Sequence, residues 1–509
     1  MDSRMTRRSA LVLTGTAAAG TIAAGRPSDR SDLQADPNAD PNADPHADRR
    51  ADLILHSGVV WTGDGTAEAV AVRGKRIVAV GSDRHVLGWA GDRTRRVDLR
   101  GAFVGPGFRD QHTHLITRAL TGAGPEAYRP VYKPYDEKEA FESRRRTGQR
   151  HVEIHARGET PVDVFAHSPV TEKMKNDLLV MQEEVAKQGV TTVVEAGLRD
   201  LGALDALFQL AEEGKLKVRF LVRVAWGCME EAARLGWKTG VGDDWVKVLG
   251  VKLYSDGWLG PRTSALRRPY ADDPYGFPRK GILFLEQERA NRDVARAREL
   301  GFNITTHAIG DRGLKVTLNA YEHNDVSPRD RWAIEHVQVV EDDLLERMIR
   351  GGVIASIQLS FATSDQRFAE DALGRHRLRY AYRWRDMLRA RLPMVGGTDF
   401  DIEALDPLWG LQRVVTRTEF DGTPPGGWLP DQRLDVRAAL RLITSRAAFA
   451  SFEERERGTV APGNYADLVV IRENPLTIPP DRLASATRLM TVANGRITAE
   501  GPVSYPPTA

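Results

Sequence analysis

The chain has 509 residues, 41% of them hydrophobic, which is enough for one large domain with a smaller companion. Its 72 Lys plus Arg against 70 Asp plus Glu leave a net charge of +2, no footprint for nucleic acid or an anionic membrane surface, so a small-molecule substrate is the expected partner. The single cysteine, Cys228, excludes an intrachain disulfide and a thiolate-rich zinc site, so any metal must rest on histidine and carboxylate.

Residues 1–50 stand apart from the rest. Thr6-Arg7-Arg8-Ser9-Ala10-Leu11 and the weakly apolar run to Ala24 read as a twin-arginine export signal, which places the protein in the periplasm or outside the cell, with a cytoplasmic location as the alternative. The apolar run is too short to span a membrane, and the mature protein is expected to have no span. The repeat DPNADPNADPHAD, Asp36 to Asp48, buries no apolar surface and reads as a disordered linker; His46 inside it is not expected to bind metal.

From Asp52 onward, short β-rich runs alternate with Gly and Asp turns, and a matching set follows at Gly463 to Pro475 and Thr487 to Ile497. Residues 51–104 plus 455–500 are therefore expected to form one small composite β-sandwich domain, with residues 105–454 inserted as the catalytic domain.

Eight strand-like runs occur in that insert: Ala102 to Phe108, Thr191 to Ala196, Phe220 to Ala225, Val246 to Tyr254, Asn303 to His307, Trp332 to His336, Val353 to Ile357 and Pro393 to Gly397. Between them lie helical patterns at Glu172 to Gln188, Leu201 to Glu213, Glu286 to Leu300, Arg312 to His323, Glu341 to Arg350 and Tyr380 to Arg391. This alternation predicts an α/β fold, a (β/α)8 TIM barrel. The polar stretch Leu115 to Val170 reads as a loop over the barrel mouth, with His151, His155 and His167 as solvent-exposed loop histidines.

Barrel chemistry sits at the carboxyl ends of the strands. His112 and His114, Lys252, His307, His336 and Asp399 all fall there, and the alternation of an extended chain lets His112 and His114 aim at one ion. Tyr254, Trp258 and Arg262 follow Lys252 on a Gly-rich loop and are candidate substrate contacts, Arg262 for a carboxylate or carbonyl oxygen. Asp311 is expected to cap the helix after His307.

The segments PGFRDQHTHL (Pro106 to Leu115), VKLYSDGWLGPRTSAL (Val251 to Leu266), THAIGDRG, IEHVQ, GGTDF and the closing ADLVV and NGRI resemble the amidohydrolase superfamily, in the branch of N-substituted formamide deformylase (amidohydrolase family 3). The resemblance runs from Asp52 to Ile497. It implies two divalent ions, zinc first with manganese, iron or cobalt on the same ligands, His112 and His114 holding one and His307 and His336 the other. Asp399 would contact the first and act as catalytic base and acid. Lys252 would bridge both as a carboxylated lysine, because an ammonium beside two dications is repelled. Glu195, at the end of the second strand, is a candidate substitute or supporting ligand, and a homo-oligomer stays open as a partner expectation.

The implied reaction is hydrolysis of a non-peptide carbon–nitrogen bond in an amide, formamide or N-acyl compound by metal-activated hydroxide. A deaminase or a lactonase/esterase of the same superfamily, or an inactive exported binding protein, are the alternatives. Ala308-Ile309-Gly310-Asp311 after His307, where such deaminases place a glutamate, favours the hydrolase. Two departures stand out: Arg109 occupies a usually apolar position, on the barrel rim or its floor, and Leu115 to Val170 lacks the substrate-lining pattern of the relatives.

Overall fold

A computed structural model of the chain describes residues 50–131 and 136–507. The export signal, the Asp-Pro linker and His46 lie outside the described residues. Among the described residues no helix is long and apolar enough to cross a membrane.

Eight parallel strands form one sheet in chain order. They are β1 (Phe108–Thr113), β2 (Val190–Leu198), β3 (Arg219–Ala225), β4 (Val246–Tyr254), β5 (Ile304–Ala308), β6 (Ala333–His336), β7 (Ile354–Gln358) and β8 (Met394–Gly397). All but one of their residues are buried, which is why most of them read as apolar runs rather than alternating ones; β1, Phe-Arg-Asp-Gln-His-Thr, is the polar exception. The sheet closes on itself: Thr113 bridges Phe400 in parallel, Asp399 N donates to His112 O at 2.7 Å, and His114 N donates to Phe400 O at 2.5 Å. The result is the expected (β/α)8 barrel. Helices such as Glu172–Lys187 and Leu201–Glu212 pack outside it, capped by Thr171 and Asp200, whose side-chain oxygens accept the Met174 and Gly202 amides.

Two further sheets carry both ends of the described chain. One holds four strands, Arg76–Gly81, Ala69–Arg73, Leu53–His56 and Arg95–Asp98; the other holds six, including Val59–Trp61, Phe103–Pro106, Leu468–Ile471, Arg488–Ala493 and Arg496–Val503. Leu468–Ile471 runs antiparallel to Phe103–Pro106 with Val470 opposite Val104. Leu53, Leu55, Val70, Val104, Leu468 and Val492 share one core.

Three sequence expectations change. The run Ala102 to Phe108 is not the first barrel strand: Phe103–Pro106 belongs to the six-stranded sheet, and the barrel begins at Phe108. Gly107 makes the transfer, and a Cβ there would lie 2.2 Å from the Thr191 side chain, so only glycine fits. An apolar run does not say which of two sheets it joins. The stretch Leu115 to Val170 is not loop throughout, since Glu137–Ala156 is a helix of 20 residues capped by Asp136. Along it only Gly148 and His151 are fully buried, so the apolar stripe that announces a helix is missing. His151 is accordingly not an exposed loop histidine, whereas His155 and His167 are exposed.

Arg109 lies on the barrel floor. It donates to Glu453 at 2.5 Å and to Thr192 Oγ1 at 3.3 Å, and Arg219, Lys247 and Arg457 converge on the same glutamate.

Candidate metal centre

The seam between β1 and β8 sets the geometry of the site. Asp110 Oδ1 accepts the amides of His112 (3.1 Å) and Thr398 (3.0 Å), and Oδ2 accepts the Thr398 hydroxyl at 2.6 Å, so one carboxylate ties the two strands together. Gly397 is required beside it, since a Cβ there would sit 2.6 Å from His112 N. Alternation then turns Gln111 the other way, towards Ser451.

His112, His336 and Asp399 each offer a buried ligand atom, and these atoms lie within 4.8 Å of one another. His114 Nε2 is 3.3 Å and His112 Nε2 3.4 Å from Asp399 Oδ1. The His307 ring lies 4.4 Å from that of His336, and Lys252 Nζ is 3.4 Å from His112 Nε2. The structure thus brings all six residues, His112, His114, Lys252, His307, His336 and Asp399, into one constellation. Two of them carry left-handed backbone, His336 at φ 77° and Asp399 at φ 61°, a conformation that costs non-glycine residues about 1–3 kcal/mol and concentrates at functional sites.

Each buried imidazole is turned by one nitrogen; His307 and His336 are left bare at the other, whereas His112 Nε2 faces Lys252 Nζ. His112 Nδ1 faces Glu335 Oε2 (2.7 Å), His336 Nδ1 faces Gln358 Oε1 (2.7 Å), and His307 Nε2 faces Gly257 O (3.0 Å). Among the described residues, His336 Nε2, His307 Nδ1 and Asp399 Oδ1 are then buried with no hydrogen-bond partner. Bare buried polar atoms of this kind cost free energy unless something binds them. Burial, reinforced by the charge of Lys252, holds His112 below the ordinary histidine value and His307 and His336 well below it, so the rings are neutral lone-pair donors. Burial pushes the Asp399 carboxyl up, but His112, His114 and Lys252 outweigh it and keep it ionised below the usual aspartate range. Neutral imidazoles plus a carboxylate, with the ligand atoms of His112, His336 and Asp399 gathered within 4.8 Å, fit a divalent ion.

Glu335 is the functional residue that sequence reasoning missed. Its Oε2 receives His112 and its Oε1 receives the Thr305 hydroxyl at 2.6 Å, and although burial raises its carboxyl, His112, Lys252 and Arg223 hold it well below the ordinary value. It fixes which His112 nitrogen faces the site. The available signal was a carboxylate in the middle of the apolar strand Ile334-Glu335-His336. Glu335→Gln is expected to weaken metal retention by about 10–100-fold with the fold intact. Metal content after graded chelator dialysis, alongside circular dichroism, measures this; unchanged retention would show that Glu335 only fills space.

The other candidates take different places. Glu195 accepts the Ile116 amide (2.9 Å) and the Thr117 amide and hydroxyl (3.3 and 3.0 Å), so both oxygens are engaged by the start of the helix Leu115–Ala119. Arg262 is buried and forked onto Asp272, with Nε–Oδ1 at 2.7 Å and Nη2–Oδ2 at 2.5 Å, and it does not line the cavity at the site. Asp311 is the first residue of its helix rather than its cap and accepts the Arg267 amide. Tyr254 stacks on His307 with centroids 4.2 Å apart. Trp258 lines a cavity of about 250 Å³ together with Leu259, Phe361 and Phe368, with His336 and Asp399 in its wall.

The amidohydrolase family profile matches residues 147–499. A putative amidohydrolase, YtcJ, of Bacillus subtilis (strain 168) is 32% identical over 256 residues, covering 50% of this chain and 48% of the relative's length. The N-substituted formamide deformylase of Arthrobacter pascens is 22% identical over 85% of this chain and 95% of its own. An uncharacterised metal-dependent hydrolase from Pyrococcus horikoshii OT3 superposes with a TM-score of 0.67 at 24% identity, covering 84% of this chain and 99% of that one. A zinc-bound adenosine deaminase from Xanthomonas campestris gives 0.58 at 17% identity, covering 88% and 93%. With the family profile spanning well over half the chain and the barrel carrying a metal-ready cluster at its strand ends, this protein belongs to the amidohydrolase family.

Proposed function

We propose that this metal-dependent hydrolase cleaves a non-peptide carbon–nitrogen bond, in an amide, formamide or N-acyl compound. The observation that carries the reading is the cluster of buried ligand atoms on His112, His336 and Asp399, two of these residues carrying a bare atom and lining an apolar cavity. The near-full-length similarity to a formamide deformylase supports the choice of bond. His112 and His114 would hold one ion and His307 and His336 the other, with Asp399 on the first and a carboxylated Lys252 between them; zinc suits these ligands. The chemistry such ions bring is Lewis acidity at the scissile carbonyl and a water made nucleophilic at neutral pH.

The protein's own groups do the rest. Asp399 Oδ1 takes the proton of the attacking water and returns it to the leaving nitrogen. Trp258, Phe361 and Phe368 exclude solvent from the cavity and seat the apolar part of the substrate. Burial pulls the Lys252 amine down to about 8, against the opposing pull of Glu335 and Asp399. An amine at that value is neutral often enough to add carbon dioxide, forming the N–C bond of a carbamate and releasing one proton.

Metal analysis with a substrate panel tests the reading. About two ions per chain are expected, and Lys252→Ala should lose activity together with at least one ion. One ion per chain, untouched by K252A, would remove the bridging role. Turnover of N-formyl and N-acetyl amines supports the carbon–nitrogen assignment; turnover confined to lactones or aminopurines would replace it.

A further inference from the structure

Trp258 also lines a second cavity, of about 370 Å³. Arg150, His151, Thr160, Arg199 and Tyr254 are among its walls, and Tyr254 is the ring stacked on His307. The two cavities therefore share Trp258, and the second is one aromatic ring away from the metal centre.

The cations in this cavity differ in how they are used. Arg157 is paired with Glu159 at 2.9 Å, and Glu153 receives the Gln149 amide at 3.1 Å. Arg199 follows directly on β2, at the carboxyl end of the barrel, half-buried. Its main-chain oxygen is engaged by Ala166 N and Cys228 Sγ, but its guanidinium has no hydrogen bond or ion pair among the described residues. Arg150, exposed on the long helix, adds a second positive charge. His151 contributes none, because burial, and then Arg150, pull its imidazole down to about 4; its Nδ1 lies 2.7 Å from Thr263 Oγ1, which holds the Trp258 loop through the Trp258 amide at 3.0 Å. A half-buried guanidinium that makes no ion pair among the described residues and whose donors line a cavity suits a planar anion, while Glu159 in the same wall is already taken up by Arg157.

We infer that this second cavity is a subsite for an anionic group of the substrate, a carboxylate in the first instance, with Arg199 as its receptor and Arg150 reinforcing the field. The substrate class becomes an amide with an apolar portion in the Trp258–Phe368 cavity and a carboxylate beyond Trp258. The inference rests on the hydrolase reading for the word substrate, but the subsite can be tested without turnover.

Phenylacetate and its neutral counterpart 2-phenylethanol are the probes, titrated calorimetrically into the metal-loaded enzyme. Arg199→Met is expected to weaken phenylacetate by about 10–100-fold and to leave 2-phenylethanol unchanged, the range of a lost hydrogen bond to a charged group. Arg199→Gln, closer in polarity, keeps the test open should R199M not fold, and the same selective loss is expected of it. In wild type, phenylacetate affinity should fall with added salt while 2-phenylethanol does not. Phenylacetate bound as tightly by the folded variants as by wild type would overturn the inference, placing the carboxylate elsewhere. Equal loss of both probes would also overturn it, leaving Arg199 as wall. A selective loss in a protein that hydrolyses no amide would uphold the subsite while removing the proposed reaction.

Discussion

Asp399→Asn is expected to lower kcat/KM by about 10²–10⁴ while the protein folds and keeps metal on its histidines. Asparagine preserves shape and one oxygen but cannot take a proton, so the loss isolates the proton transfer from simple ligation. Asp399 is chosen because its Oδ1 is bare, buried and within 3.3–3.4 Å of both His112 and His114, and because those neighbours hold it ionised against the effect of burial. Its main-chain amide is fixed by His112 O across the barrel seam, so the substitution disturbs the reacting group and not its placement. Steady-state kinetics with metal analysis on the same preparation decides the matter. Activity within tenfold of wild type would move the proton-transfer role to another group.

The second large effect is on stability. Glu453→Gln should destabilise the fold by about 3–5 kcal/mol, the range for breaking a buried ion pair by removing one partner. Glu453 is buried on the barrel floor among Arg109, Arg219, Lys247 and Arg457, and the amide would leave buried Arg109 and Arg219 without their carboxylate, Arg457 keeping Asp467. Burial alone would raise its carboxyl, but the four cations, Arg109 first, drive it down to about 2 from 4.5. Because the folded value lies below the unfolded one, the stabilisation is full above about pH 4.5 and is lost as pH falls towards about 2. Urea unfolding of wild type and E453Q at pH 7 and pH 3 checks both statements, the gap between the two proteins narrowing in acid. A pH-independent difference would assign Glu453 a packing role.

Arg109 and Glu453 show what a sequence hides. Arg109 sits three residues before His112 and reads as a departure from the motif; only the fold shows that its partner is 344 positions away, on the floor and not at the mouth. The same holds for Arg262, which follows the Lys252 motif at the distance of a substrate contact but is taken up by Asp272. Arg199 carries no motif, and its guanidinium lines a cavity with no ion pair among the described residues. A charged residue's role depends on whether a counter-ion is in reach, and reach is a property of the folded chain.

Seven of the eight barrel strands were legible because burial on both faces writes apolar runs that stop at polar residues at the strand ends; the first, the polar Phe108–Thr113, was not. β4 is Val246–Tyr254 as read, and His307 and His336 fall in the last two positions of β5 and β6. By itself the sequence determined the eight-strand alternation, the candidate set of histidines, lysine and aspartate and the exclusion of an intrachain disulfide, because periodicity and residue type are local properties. Tertiary structure alone decided that Phe103–Pro106 joins a sheet other than the barrel's, that a helix without an apolar stripe covers the mouth, that Glu335 orients His112 and that the Arg199 guanidinium has no partner among the described residues. Each of these turns on a contact between segments tens to hundreds of residues apart, whose energy no local pattern records.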